Sequence, residues 1–176
     1  MLRSNTLWLY FTMLLLPASS FALSDDHNQP IKIKADSVSI NEKTGISIYT
    51  GNVIFTQGSL KLAGEKVIIH QSNNTVDKIL VEGKPATFQQ QQDNSPHLIH
   101  ASAGKMRYVT SEERVFLNNN ARVSQGENLL KGDKIEYNTR NSTVTAQKSS
   151  NNTNRVHVVI EPQQDNAKKS TTEPEQ

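Results

Sequence analysis

Asn52-Val53-Ile54-Phe55-Thr56-Gln57-Gly58, continuing to Gly64-Glu65-Lys66-Val67-Ile68-Ile69, returns later as Asn120-Ala121-Arg122-Val123-Ser124-Gln125-Gly126, continuing to Gly132-Asp133-Lys134-Ile135-Glu136-Tyr137. The offset is 68 residues at both ends of the phrase (52 to 120, 66 to 134). A gap-free internal repeat means that one supersecondary unit is used twice, and such units stack because neither buries its apolar face alone. The repeat therefore points to a binding or scaffolding body built from repeated strands.

Working outward, a finer repeat appears. Ala35 to Ile40, Gly64 to Ile69, Ala103 to Tyr108 and Gly132 to Tyr137 share the order small, polar, Lys or Ser, apolar, any, apolar. Each is followed by a polar turn and another strand-like run, so the unit is a strand pair used four times. An insertion in the second copy falls at Gln89 to Pro96, which reads as a polar loop. Alternation recurs in Ile31 to Lys34, Ile46 to Ile48, Val53 to Phe55, Leu60 to Leu62, Val144 to Ala146 and Val156 to Val158. No window keeps a helical period. Gly51, Gly58, Gly64, Gly83, Gly126 and Gly132 read as turns at strand ends. Short strands with frequent turn signals give an all-β fold: a sandwich, a jelly roll or a solenoid.

Period-two alternation assigns faces. Val38 and Ile40, Val67 and Ile69, Met106 and Tyr108, and Ile135 and Tyr137 share one face, joined by Val53 and Phe55. Those residues form the predicted interior. Ser39, Arg107 and Glu136 point outward, and Ile68 lies on the outer parity, which implies local cover or a contact surface.

The ends carry different signals. Arg3, the apolar run Leu7 to Leu16 and the small-x-small site Ser20-Phe21-Ala22 form an export signal, so the mature chain starts near Leu23. The expected organisation is a signal peptide over 1–22, one β domain over 23–161 and a disordered polar tail over 162–176. There are 0 cysteines, so an exported fold rests on core burial alone. The chain has 19 basic and 17 acidic residues, a balance that argues against nucleic acid as the main partner.

Catalytic and cofactor signatures are missing. His97 and His100 stand three apart, on opposite faces of a strand, which disfavours a shared metal. No nucleophile elbow, phosphate-cradling loop or thiol is present. The reading is no enzyme, no cofactor and no metal site. On periodicity alone, an interior open to acyl chains and a closed core of a structural β-solenoid scaffold or adhesin module stay equally supported.

Gln29-Pro30-Ile31, Tyr49-Thr50-Gly51-Asn52-Val53, Thr56-Gln57-Gly58, Gly83-Lys84-Pro85-Ala86-Thr87-Phe88 and Lys131-Gly132-Asp133-Lys134-Ile135 resemble the LptA (OstA-like) family of periplasmic lipopolysaccharide transport proteins. The resemblance runs from about Gln29 to Ala146. It implies a twisted β-jelly roll of antiparallel strand pairs, open at both ends, holding the lipid A part of lipopolysaccharide in an apolar groove. It also implies copies stacked head to tail in the periplasm. The N-terminal end would meet an inner-membrane tethered transport protein, and the C-terminal end an outer-membrane translocon. The family's lipid-binding positions fall on Ile31, Phe88 and Tyr108, with the interior residues above as groove lining. The second copy departs from the first in carrying Asn118-Asn119-Asn120 where the first has Thr50-Gly51-Asn52, and asparagine tolerates the left-handed backbone that glycine adopts there.

Overall fold

The computed structural model describes residues 26–92, 95–148 and 155–160. The expected signal peptide and the expected polar tail lie outside them. A 3-10 turn at Asp26–Asn28 precedes ten strands: β1 (Lys32–Lys34), β2 (Ser37–Asn41), β3 (Ile46–Gln57), β4 (Leu60–Ser72), β5 (Thr75–Gln91), β6 (Leu98–Val109), β7 (Arg114–Gln125), β8 (Asn128–Asn138), β9 (Thr143–Gln147) and β10 (His157–Val159). All pairings are antiparallel. Neighbours in sequence are neighbours in the sheet from β3 to β8.

The middle strands are longer than the punctuation predicts, running 11 to 17 residues. Gly51, Gly64, Gly83 and Gly132 lie inside strands and do not end them, whereas Gly58 and Gly126 do occupy turns. The reason is a crease. Each ladder shifts register near its middle, between Thr50 and Val53, Ala63 and Lys66, Glu82 and Ala86, Ser102 and Lys105, and Asn118 and Ala121. Bulges of this kind bend strands sharply and permit one sheet to fold over on itself. Local sequence sees glycine and asparagine and predicts a turn; the chain uses them to bend without stopping.

The crease divides the sheet into two leaves. One runs β2-β3-β4-β5-β6-β7-β8-β9, the other β1-β3-β4-β5-β6-β7-β8-β10. Their inner faces meet: the rings of Phe88 and Tyr137, on opposite sides of the crease, stand edge to face with centroids 6.3 Å apart. This is the all-β jelly roll, with β1 and β10 at opposite edges.

The four-fold repeat has a structural meaning. Val38, Val67, Met106 and Ile135 fall in one transverse row through the register of β2 to β8. Ile40, Ile69, Tyr108 and Tyr137 form the next row. The 68-residue repeat extends to the backbone. Gly51 and Asn119 have φ of 79° and 69°, Asn52 and Asn120 46° and 56°, and Gly58 and Gly126 58° and 57°. The asparagines of the second copy thus adopt the left-handed conformation that the first copy gives to glycine.

Two further expectations are corrected. Val38 and Ile40 lie on the inner side but are not buried; they are 55 % and 60 % exposed. Strand β2 is the last of its leaf, and the three-residue β1 opposite is too short to cover it. The Gln89 to Pro96 loop begins later than expected, because Gln89–Gln91 continue β5. Alternation of Phe88, Gln90 and Gln92 would have placed two of these glutamines on the inner face.

Candidate functional site: an apolar mouth and a polar seam

The inner faces of the leaves supply one apolar core. It includes Val53, Phe55, Val67, Ile69, Phe88, Met106, Tyr108, Ile135 and Tyr137, all buried. Phe88 and Tyr108 are 1 % and 2 % exposed. At the β1 and β2 edge the core opens. A cavity of about 370 Å³ lies between Ile31 and Ile33 on one leaf and Tyr49, Ile69 and Val76 on the other. Its size falls within the range of small-molecule pockets, and its lining is mixed, with Ser47 and Gln71 beside the aliphatic and aromatic side chains. Ile31 is 40 % exposed at this mouth, and Val38 and Ile40 extend the same surface outward. Of the three predicted lipid-binding positions, Ile31 therefore stands at the entrance and Phe88 and Tyr108 stand deeper in the core. Phe88 and Tyr108 belong to the buried core, whereas Ile31 lies outside it, next to Ile33, which packs against the core.

The far edge is also apolar. Val158 pairs with Leu130, which pairs with Val123 on the inner face. Val158 is 55 % exposed, and Val156 and Ile160 beside it are exposed too. Among the described residues, β1, β2, β9 and β10 each have a strand neighbour on one side only.

Opposite the crease, the hairpin ends of the two leaves are clasped by polar groups whose pairing the sequence did not reveal. The Asp26–Asn28 turn is tied to one leaf. Asp26 accepts from the Ser59 amide at 2.6 Å, the Ser59 hydroxyl at 2.7 Å and Gln90 Nε2 at 2.9 Å. Gln57 Nε2 donates to the His27 carbonyl at 3.0 Å. On the other leaf, His27 Nε2 lies 3.6 Å from Glu113 Oε1, which also accepts from Arg140 Nη2 at 3.0 Å. Beside this strap, Gln92 Nε2 donates to the Tyr137 hydroxyl and to Ser142 Oγ, and Gln125 Nε2 donates to Gln92 Oε1. Burial pushes the Tyr108 hydroxyl up to about 12, with the Glu113 and Asp26 carboxylates adding to the shift. Burial also raises Tyr137, against the lowering effect of its Gln92 and Ser142 bonds.

The outer face carries salt bridges, including Lys105 with Glu82 at 3.0 Å and Arg114 with Glu136 at 3.2 Å. Lys105 holds the exposed Glu82 carboxyl below the usual carboxylate range. Ile68 sits there between Ile48 and Leu80, its cross-strand neighbours, which accounts for an apolar residue on the outer parity. In the same register row, the Arg107 guanidinium stacks 4.1 Å from the Phe116 ring centroid.

Comparison with known proteins adds the context. Residues 32–143 match the family model described as "LptA/(LptD N-terminal domain) LPS transport protein". The lipopolysaccharide export system protein LptH of Pseudomonas aeruginosa is 34 % identical over 166 residues, covering 90 % of this chain and 95 % of that protein. The export system protein LptA of Haemophilus influenzae is 36 % identical, covering 93 % and 95 %. Escherichia coli K12 LptA is 36 % identical, covering 85 % and 82 %. The crystal structure of P. aeruginosa LptH superposes with a TM-score of 0.73 at 34 % identity, covering 78 % of this chain and 99 % of that one. It is described as the LptA-homologous periplasmic component of a conserved lipopolysaccharide transport device.

Proposed function

The chain belongs to the family of LptA and LptD N-terminal domain lipopolysaccharide transport proteins, and on that premise we propose that it is a periplasmic carrier for the lipid A part of lipopolysaccharide. The acyl chains enter between the leaves at the mouth lined by Ile31 and Ile33 and lie along the interior past Phe88 and Tyr108. The observation that carries this reading is an apolar interior reaching solvent at a sheet edge, where Ile31, Val38 and Ile40 stay exposed on the inner side. The proposed organisation is an export signal over 1–22, the carrier domain over 23–161 and a polar tail over 162–176.

The physical case is desolvation. Each buried CH₂ is worth about 0.8 kcal/mol, so a chain of about a dozen carbons represents roughly 8–10 kcal/mol when exposed to water. Lipopolysaccharide carries several such chains, and an apolar path removes the barrier to moving them through an aqueous compartment. The protein supplies a path and no drive; no catalytic chemistry is assigned to it.

Strand edges at both ends support a bridge. β1 and β2 of one copy meet β9 and β10 of the next by β-augmentation. Such a head-to-tail contact is heterologous and does not close, so copies extend as a filament. The N-terminal edge faces the inner-membrane tethered component, and the C-terminal edge faces the outer-membrane translocon. Transport then runs from inner to outer membrane.

The filled core, with Phe88 and Tyr108 sealed from solvent, is what a closed scaffold would also have. Photocrosslinking in cells separates the two. Probes at Ile31, Phe88 and Tyr108 are expected to form lipopolysaccharide adducts, and an outward probe at Arg107 none. A folded, exported protein without adducts at any inward position replaces transport by the scaffold reading.

A further inference from the structure

Beside the strap, at the seam between the leaves, lies a polar cavity of about 210 Å³, bounded by Asp26, Gln90, Gln92, Glu113, Tyr137 and Arg140. Gln90 is the informative residue. It is only 9 % exposed, and its amide nitrogen donates to Asp26 Oδ2 at 2.9 Å. That bond fixes the orientation of the amide, since the reverse orientation would set oxygen against carboxylate. Gln90 Oε1 is left buried without a hydrogen-bond partner, and it is the only side-chain atom so placed among the described residues. A buried acceptor without a donor is costly, and a ligand whose entry parts the clasp around Gln90 and donates to it recovers that cost.

The neighbours narrow the ligand class. Gln92 Nε2 is already used on Tyr137 and Ser142, and Arg140 Nη2 on Glu113. Asp26 and Glu113 are carboxylates, so the site is rich in acceptors. A phosphate group brings only more acceptors and meets the two carboxylates, while the basic groups lining the cavity, His27 and Arg140, are both turned to Glu113. A polyhydroxyl ring brings several donors at fixed spacing, and ring or hydroxyl oxygens for the remaining N–H groups of the exposed Arg140. The cavity also shares a wall with the apolar interior, because Tyr137 bounds both and its ring meets Phe88. A ligand with a sugar in the cavity would have its alkyl chains beside Phe88.

We infer that this seam cavity binds a sugar ring of the lipid headgroup, with a hydroxyl or amide N–H of the ring donating to Gln90 Oε1. The inference rests on the lipid-carrier reading above and adds a headgroup site to it. Chain length and headgroup would then be read at separate places, the first by the interior and the second by the seam.

The test uses two amphiphiles of equal chain length, dodecyl glucoside and dodecyldimethylamine oxide, titrated into the mature full-length chain by calorimetry. Wild type is expected to bind both. Gln90→Leu is expected to weaken the glucoside about 5- to 10-fold, the loss expected for one buried hydrogen bond, and to leave the amine oxide within about twofold. The Gln90 side-chain amide resonance should shift with the glucoside and not with the amine oxide. Equal losses for both ligands, or no loss for either, overturn the sugar site while chain binding stands. Failure of wild type to bind the amine oxide overturns the lipid reading itself. Free N-acetylglucosamine that shifts the Gln90 resonance as strongly as the glucoside overturns the assignment to a lipid headgroup. If Gln90→Leu does not fold, Arg140→Ala, at an exposed position, carries the same comparison with an expected loss of about threefold.

Discussion

Gly64 and Gly132 occupy the same place in the 68-residue repeat, yet their surroundings differ. A Cβ on Gly64 would meet the Glu82 carbonyl oxygen at 2.6 Å and Val81 Cγ1 at 2.8 Å; on Gly132 it would meet nothing nearer than 3.6 Å. The first copy lies inside the sheet, whereas the second is near the β9 edge. Gly64→Ala is expected to cost about 1–3 kcal/mol through overpacking, and Gly132→Ala to stay within about 0.5 kcal/mol, both read by urea unfolding. Gly51 is stricter, because its φ of 79° and a clash at 2.2 Å with Asp36 Oδ2 act together. A second residue-scale prediction concerns Tyr108. Burial pushes its folded hydroxyl up to about 12 from the ordinary value of 10 that it has when unfolded, so between these values the unfolded state loses its proton first. Stability is then unchanged by this group below pH ~10 and falls as pH rises from about 10 to 12. Tyrosinate absorbance and unfolding midpoints across that window check it, and Tyr108→Phe should remove the Tyr108 share of the drop.

At the level of elements, the edge strands and the strap decide behaviour. Ile40 and Val158 are exposed on opposite edges, so their replacement leaves the core intact. Ile40→Lys and Val158→Lys are each expected to reduce self-association, read by sedimentation at fixed concentration, with far-ultraviolet circular dichroism unchanged. Inward lysines blunt edge pairing in this way. Association unchanged by both substitutions would place the contact elsewhere. These elements were unequally legible in the sequence. β1, β2 and β10 were readable from alternation, and so was their place at the ends of the chain. The strap was not, because Asp26 partners Ser59 and Gln90 across 33 and 64 residues, separations over which no local pattern carries information.

Across the whole molecule, one sheet folded along a crease packs against itself. β4 to β7 have strand neighbours on both sides along their length, and β1, β2, β9 and β10 are short and one-sided. Hydrogen exchange is expected to be slowest in the middle of β4 to β7 and fastest in those four short strands, spanning most of the global stability. Uniform exchange would mean that the ends open only with the whole fold. Phe88 joins the leaves through Tyr137, so Phe88→Ala is expected to cost about 3–5 kcal/mol in denaturant unfolding, whereas Arg107→Ala, outside, should cost about 1 kcal/mol or less.

The sequence by itself determined the strand content, the repeat and the inward face of β2, β3, β4, β6 and β8, since alternation and left-handed turn residues are local properties. It also carried the family resemblance through short exact strings such as Gly83 to Phe88. Tertiary structure alone decided that the internal glycines make a crease and not turns, that Val38 and Ile40 stay in water on the inner side, and that the Gln run closes a seam. Each of these depends on what stands opposite a residue after the sheet has folded over, and a residue's opposite number across two packed leaves is not encoded by its neighbours in the chain.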